Sequence, residues 1–212
     1  MHLVYHLAFL TFVFCLGSVY FKTPEKRAYI MCTFYSPILS CIGIWKLYHL
    51  IMESNGVISK ELIYSDEYLT VDACKLLFSG NLLELVIGSF FFPKQLDFLS
   101  NWVHHIVYCV LLAHLINNGH TNGFSFAMVA EIPTFIKSLG SIFPNLRSDY
   151  LFGMTFFAFR IVFNVYYNYQ FYVNDYESIY WKFIFVVFLL HSYWIYCWIL
   201  GMKRRSLKNT SH

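Results

Sequence analysis

Charged side chains are scarce in this sequence. Asp, Glu, Lys and Arg together make up 13% of 212 residues, about half the usual share. So little charge cannot cover the surface of a water-soluble globule, whereas a bilayer requires no such cover. The net charge of +3 is equally slight, and no basic face with interleaved aromatics occurs, so nucleic acid is not expected as a partner. Zinc-ligand and redox spacings are missing too. Cys15, Cys32, Cys41, Cys74, Cys109 and Cys197 lie singly in apolar segments with no C-x-x-C pair. They read as small buried side chains, with no metal and no bound cofactor implied. Repeats, low-complexity tracts and interdomain linkers are absent as well.

What is abundant is apolar surface: 58% of the chain, with 23 Phe and 17 Tyr. A bilayer crossing needs about 20 mostly apolar residues. Seven segments qualify: 2–21, 28–52, 71–92, 98–116, 122–143, 150–173 and 178–201. The expected fold class is therefore all-α, a polytopic membrane bundle of about seven transmembrane helices. Residues 1–27 supply a leading span and a loop, 28–201 the main transmembrane domain, and 202–212 a basic cytosolic tail. No Lys or Arg precedes the first apolar run, while Lys22, Lys26 and Arg27 follow it. An uncleaved span is thus expected rather than a signal peptide. Placing the N-terminus outside puts Lys22, Lys26, Arg27, Lys94, Arg147, Lys203, Arg204, Arg205 and Lys208 in the cytosol, against Lys60 alone outside. That is a clear positive-inside bias. Loop 53–70 is expected to be polar and to lie on the outer or lumenal face.

Ionisable groups inside spans are expensive, about 2.5–3.5 kcal/mol on insertion scales, and usually face the bundle interior. The third span holds Asn81 and Glu84, and the fourth holds Asn101, His104, His105 and Tyr108 on one stripe. The fifth holds Glu131, Thr134 and Ser138, and the sixth Arg160, Asn164 and Tyr167. At about 1.5 Å per residue, the tandem histidines lie about 10 Å from the cytosolic end, Glu84 about 12 Å, Arg160 about 15 Å and Glu131 about 18 Å. Two readings stand side by side. Glu131 and Arg160 either form a structural ion pair or line a functional cavity, and the tandem histidines are either packed or catalytic. Lys46 and His191 read as snorkelling and packing.

Asn101-Trp-Val-His-His-Ile-Val107, then Ala130-Glu-Ile-Pro-Thr-Phe135, then Phe156-Phe-Ala-Phe-Arg-Ile161 resemble the TLC domain. That domain is shared by ceramide synthases, translocating-chain-associating membrane proteins and several lipid-regulating proteins. The resemblance runs from about Arg27 to Gly201. It implies six helices around a lipid-accessible cavity, often with one span in front. In ceramide synthases the tandem histidine precedes a span with an Asp-x-x-Asp pair. Here His104 and His105 match the histidines and Glu131 stands for the first acid. Tyr108 replaces the usual Thr, and Thr134 occupies the second acid's place. This implies a member outside the ceramide synthases, one that binds, moves or regulates an acyl-chain lipid. His104, His105 and Glu131 would then be the reactive groups, and Glu84, Asn101, Tyr108, Thr134, Arg160 and Asn164 would line the cavity. The enzyme alternative is N-acylation of a sphingoid base with acyl-CoA as co-substrate, and a third reading is a cargo or translocation accessory. A membrane lipid is the expected partner, a homodimer is compatible with the family, and the endoplasmic reticulum or another secretory membrane is the expected location.

Overall fold

The computed structural model describes residues 2–210, and all regular structure among them is helical. Four helices are long and apolar enough to cross a membrane: Leu3–Tyr20, Pro24–Ser54, Tyr68–Phe91 and Tyr180–Arg205. The chain is therefore an integral membrane protein by length and composition. Helical segments also occupy the three other expected spans, but each is interrupted. The fourth begins with a π-helical turn, Phe98–Val103, in which the Trp102 N–H reaches back five residues to the Asp97 carbonyl at 3.3 Å. The fifth breaks into a short helix, a 3-10 segment Phe126–Ala130 and a second helix. Its cause is Pro133, which cannot donate to Val129 and would clash there in a continuous helix. Proline is tolerated in a first turn, and the second helix begins at Glu131. The sixth contains another π-helical turn, Phe157–Val162.

The chain forms two compact units, residues 1–147 and 148–212. In the first, the helices are α1 (Leu3–Tyr20), α2 (Pro24–Arg27), α3 (Ile30–Ser54), α4 (Lys60–Ile63), α5 (Tyr68–Phe91), α6 (His104–Asn118), α7 (Thr121–Ser125) and α8 (Glu131–Ile142). Helix α3 packs on both α5 and α8, and α5 packs on α1 and α6. Leu10, Met31, Leu39, Cys74 and Leu112 belong to one buried cluster among them. Of α1 only His6, Leu10 and Phe14 are buried, one stripe at i, i+4 and i+8. Its other faces are apolar and open, with Phe12 64% exposed. Apolar surface on that scale needs lipid or protein against it.

Two glycines fix the spacing. A Cβ on Gly43 of α3 would stand 2.5 Å from the Val129 nitrogen of the 3-10 segment, so the two backbones touch. A Cβ on Gly80 of α5 would stand 2.5 Å from the Tyr35 ring of α3. Helix α3 ends where Asn55 (φ 49°) and Gly56 (φ 78°) turn left-handed and the Gly56 N–H returns to Leu50 O at 3.0 Å.

Two sequence expectations change here. The polar loop 53–70 is folded: Ser59 caps α4, Ile58 and Ile63 are fully buried, and Asn122 of α7 donates through its backbone and its amide to Ser65. The hydrophobic pair Ile58/Ile63 drives this. Lys46, expected to snorkel, is instead buried and paired with Glu67 at 2.8 Å, its ammonium also 5.7 Å from the Phe126 ring. Beside the loop, His120 stacks edge-on against Tyr64 at 4.7 Å. Partial burial, with the neighbouring His114, holds its pKa below the ordinary imidazole value, while Asp66 pulls the other way.

In the second unit, α9 (Asp149–Phe156), the π-turn and α10 (Phe163–Asn174) pack along α11 (Tyr180–Thr210). The Trp198 ring fills the notch left by Gly153. Buried His191 meets the Asn164 amide at 3.3 Å and the Phe156 ring at 5.9 Å. The outer side of α11 is apolar and open, as at Val186, Leu189 and Ile199.

Candidate functional site

Four helices of the first unit contribute to one chain of polar contacts. Helix α3 presents Cys32, Tyr35, Ser36 and Leu39 at i, i+3, i+4 and i+7, so they share a face. Toward α8, the Ser36 hydroxyl donates to Glu131 Oε2 at 2.9 Å. Toward α5, the Tyr35 hydroxyl donates to Glu84 Oε1 at 3.0 Å. On its far side Glu84 Oε2 faces His105 Nε2 of α6 at 3.7 Å, longer than a hydrogen bond. The order across the unit is Glu131, Ser36, Tyr35, Glu84, His105.

Burial makes the arrangement demanding. The side chains of His105 and Glu84 are 9% and 12% exposed. The amide nitrogen of Asn81, one turn before Glu84, is buried without a hydrogen-bond partner among the described residues, and the Asn81 backbone faces the His105 ring. Such groups cost about 1–3 kcal/mol each when left unsatisfied. Below the chain, Ser138 lies against the Cys32 thiol and donates to Phe135 O at 2.9 Å. The Glu84 carboxyl also lies within electrostatic reach of Glu131 and of Lys137, which stands six residues past Glu131 on α8.

The predicted residues divide as follows. Glu84, His105 and Glu131 come together through α3. His104 points elsewhere on α6, half buried, its ring 4.4 Å from Tyr108 and 5.6 Å from His105. The Asn101 side-chain oxygen Oδ1 accepts the Asp97 N–H at 2.9 Å, a helix-start role. Thr134 sits one turn after Glu131 on α8. Arg160 and Asn164 belong to the second unit, where the guanidinium lies 5.3 Å over the Phe156 ring and Asn164 meets His191. Tyr35, Ser36, Cys32 and Gly80 were not expected, because a Tyr or Ser inside an apolar span carries no local mark of its partner.

Along the helical stretch that carries the histidines, Phe98, Trp102, Val103, Ile106 and Val107 form an open, shallow apolar groove on the surface. Chemically, the cluster offers carboxyl oxygens, a phenol donor and an imidazole, while the apolar groove lies on another face of the histidine helix. No cluster of three or more His, Cys, Asp or Glu among the described residues is arranged to hold a metal. Compared with known proteins, the chain matches no family model, no curated protein and no solved structure.

Proposed function

We propose that this protein holds a membrane lipid, its polar head at the Glu84–Tyr35–His105 cluster and an acyl chain against apolar helix surface, and so binds, moves or regulates that lipid. This is the behaviour implied by the TLC-domain resemblance. The observation that carries it is the polar chain itself. Helices surrounded by hydrocarbon keep buried carboxylates and imidazoles only at considerable cost, and such groups usually mark a ligand path. Native mass spectrometry of the detergent-purified protein tests the idea. A retained adduct of lipid mass is the expected result, and protein stripped bare under conditions that preserve the fold would count against it.

The position of Glu84 favours one further reading, the N-acyltransferase. Glu84 stands where an orienting acid would hold His105 as a base. The imidazole would take a proton from a lipid amine as its nitrogen attacks the thioester carbonyl of acyl-CoA. The amide forms, the carbon–sulfur bond breaks, and the thiolate leaves and is protonated by the imidazolium. Turnover of a long-chain base and acyl-CoA by purified protein decides between binding and chemistry.

In this reading all seven segments cross the membrane, with the N-terminus outside or lumenal and the tail in the cytosol of a secretory-pathway cell membrane. Interrupted helices are tolerated at membrane depth where protein buries the broken backbone. Seven crossings put the α4 loop and the tail on opposite faces. If only the four unbroken helices crossed, α5 and α11 would return the tail to the loop's own face. In sealed vesicles a membrane-impermeant maleimide should therefore label Lys60→Cys and Lys203→Cys from opposite sides. Labelling of both from one side rejects seven spans.

A further inference from the structure

One end of the first unit concentrates cations. Arg27 of α2 donates through Nε to Phe21 O at 2.9 Å and through Nη2 to Ser18 O at 3.2 Å, closing the end of α1. Helix α2 packs on α8. The Phe21 and Phe143 rings meet edge-on at 5.8 Å, and the Lys137 ammonium lies 5.8 Å from the Tyr29 ring. Gln95 donates to Glu25 at 3.3 Å, bringing Lys94 to the same end, and Arg147 backs Gly140 of α8. Lys22, Lys26, Arg27, Lys94, Lys137 and Arg147 thus share a rim whose acids are Glu25 and Asp97.

The rim lies at headgroup depth. Lys22 stands two residues beyond a helix of bilayer-crossing length, and Tyr29, beside Lys137, is an aromatic of the kind found at membrane interfaces. Val19, Phe143 and Leu146 are exposed apolar side chains on the same end, placed to meet acyl chains. Lys137 is the cation of this end that stands nearest the buried cluster, six residues past Glu131 on the same helix.

We propose that this rim is a binding site for the headgroup of an anionic phospholipid, gripped chiefly by Lys22, Lys26 and Lys137. The site is separate from the buried cluster and needs only the membrane assignment.

The test is delipidated, detergent-purified full-length protein exposed to phosphatidylglycerol or phosphatidylcholine, read by native mass spectrometry and by thermal midpoint. Wild type should retain phosphatidylglycerol preferentially and be stabilised by it, with the preference eroding as salt rises. Replacing Lys22, Lys26 and Lys137 by Gln should reduce that preference, about fivefold for each lysine, the factor expected for a basic side chain at an anionic surface. The three Lys→Arg changes together should preserve it, as should Lys60→Gln at the opposite end. Glu84→Gln should leave it intact, so this proposal and the lipid-handling proposal fail separately. Equal retention of the two lipids by wild type overturns the site, as does an undiminished preference in the folded triple Gln variant. Stabilisation by inorganic phosphate alone that matches phosphatidylglycerol overturns the lipid assignment. If the triple Gln variant does not fold, the wild-type lipid preference and its salt dependence decide the question by themselves.

Discussion

Gly43→Ala is expected to destabilise the first unit by about 3 kcal/mol, the upper end for overpacking. The added Cβ would stand 2.5 Å from the Val129 nitrogen and 2.8 Å from the Met128 carbonyl carbon. Both are backbone atoms, and the 3-10 segment carrying them is held between α7 and α8, so neither can rotate away. Relief requires α3 to move off the segment, and with it Ser36 from Glu131. Gly201→Ala is the matched control, since nothing lies within 4 Å of its Cβ and alanine is the better helix former. Thermal unfolding in detergent should show a clear drop in midpoint for the first and no loss for the second. Equal midpoints would mean that the close approach of α3 to the 3-10 segment is wrong. Gly80→Ala differs in kind. It meets the edge of the buried Tyr35 ring, which is tethered to Glu84, so its effect should fall on the site as well as on stability.

Glu84→Gln is expected to leave the protein folded and to lower lipid occupancy severalfold, given that a hydrogen bond contributes about 0.5–1.5 kcal/mol net. A carboxamide still accepts from the Tyr35 hydroxyl, which protects the fold, but it replaces one carboxyl oxygen with an amide donor facing His105 and the headgroup. Glu84→Leu should behave differently. It strands the Tyr35 hydroxyl and His105 in an apolar interior, and stability should fall along with occupancy. Replacing His104 and His105 together by Gln completes the set, because Gln keeps hydrogen-bonding capacity without basicity. Full occupancy in folded Glu84→Gln would remove the cluster as headgroup site, whatever the histidine variants do.

Helical class and membrane character were legible because they depend on composition and run length, which are local. The breaks were less so. Pro133 is a visible breaker, yet an apolar run from 122 to 143 hides where the backbone changes hand-holds, and the π-turns at 98–103 and 157–162 contain no Pro or Gly to announce them. Glu84, His105 and Glu131 were legible as costly residues in apolar spans. Their connection was not, because it runs through Tyr35 and Ser36, side chains 49 and 95 residues from the carboxylates they meet. Lys46 illustrates the same limit: an isolated lysine in a span suggests snorkelling, and only the folded loop brings Glu67 to it. The resemblance to the TLC domain pointed to His104 and His105 equally, whereas packing separates them: His105 faces Glu84 and His104 faces Tyr108.

The folded segment around α4 bears on how this protein would be cut. Lys60 is exposed, and its side chain would attract trypsin. Proteases, however, need an extended stretch of backbone, and here Ser59 caps a helix, Ile58 and Ile63 are buried on either side, and Asn122 holds Ser65 twice over. Cleavage after Lys60 therefore requires the segment to open first, and the rate reports the free energy of that opening rather than the accessibility of the lysine. Limited digestion at this single bond is thus a local stability gauge for the α4 end of the first unit.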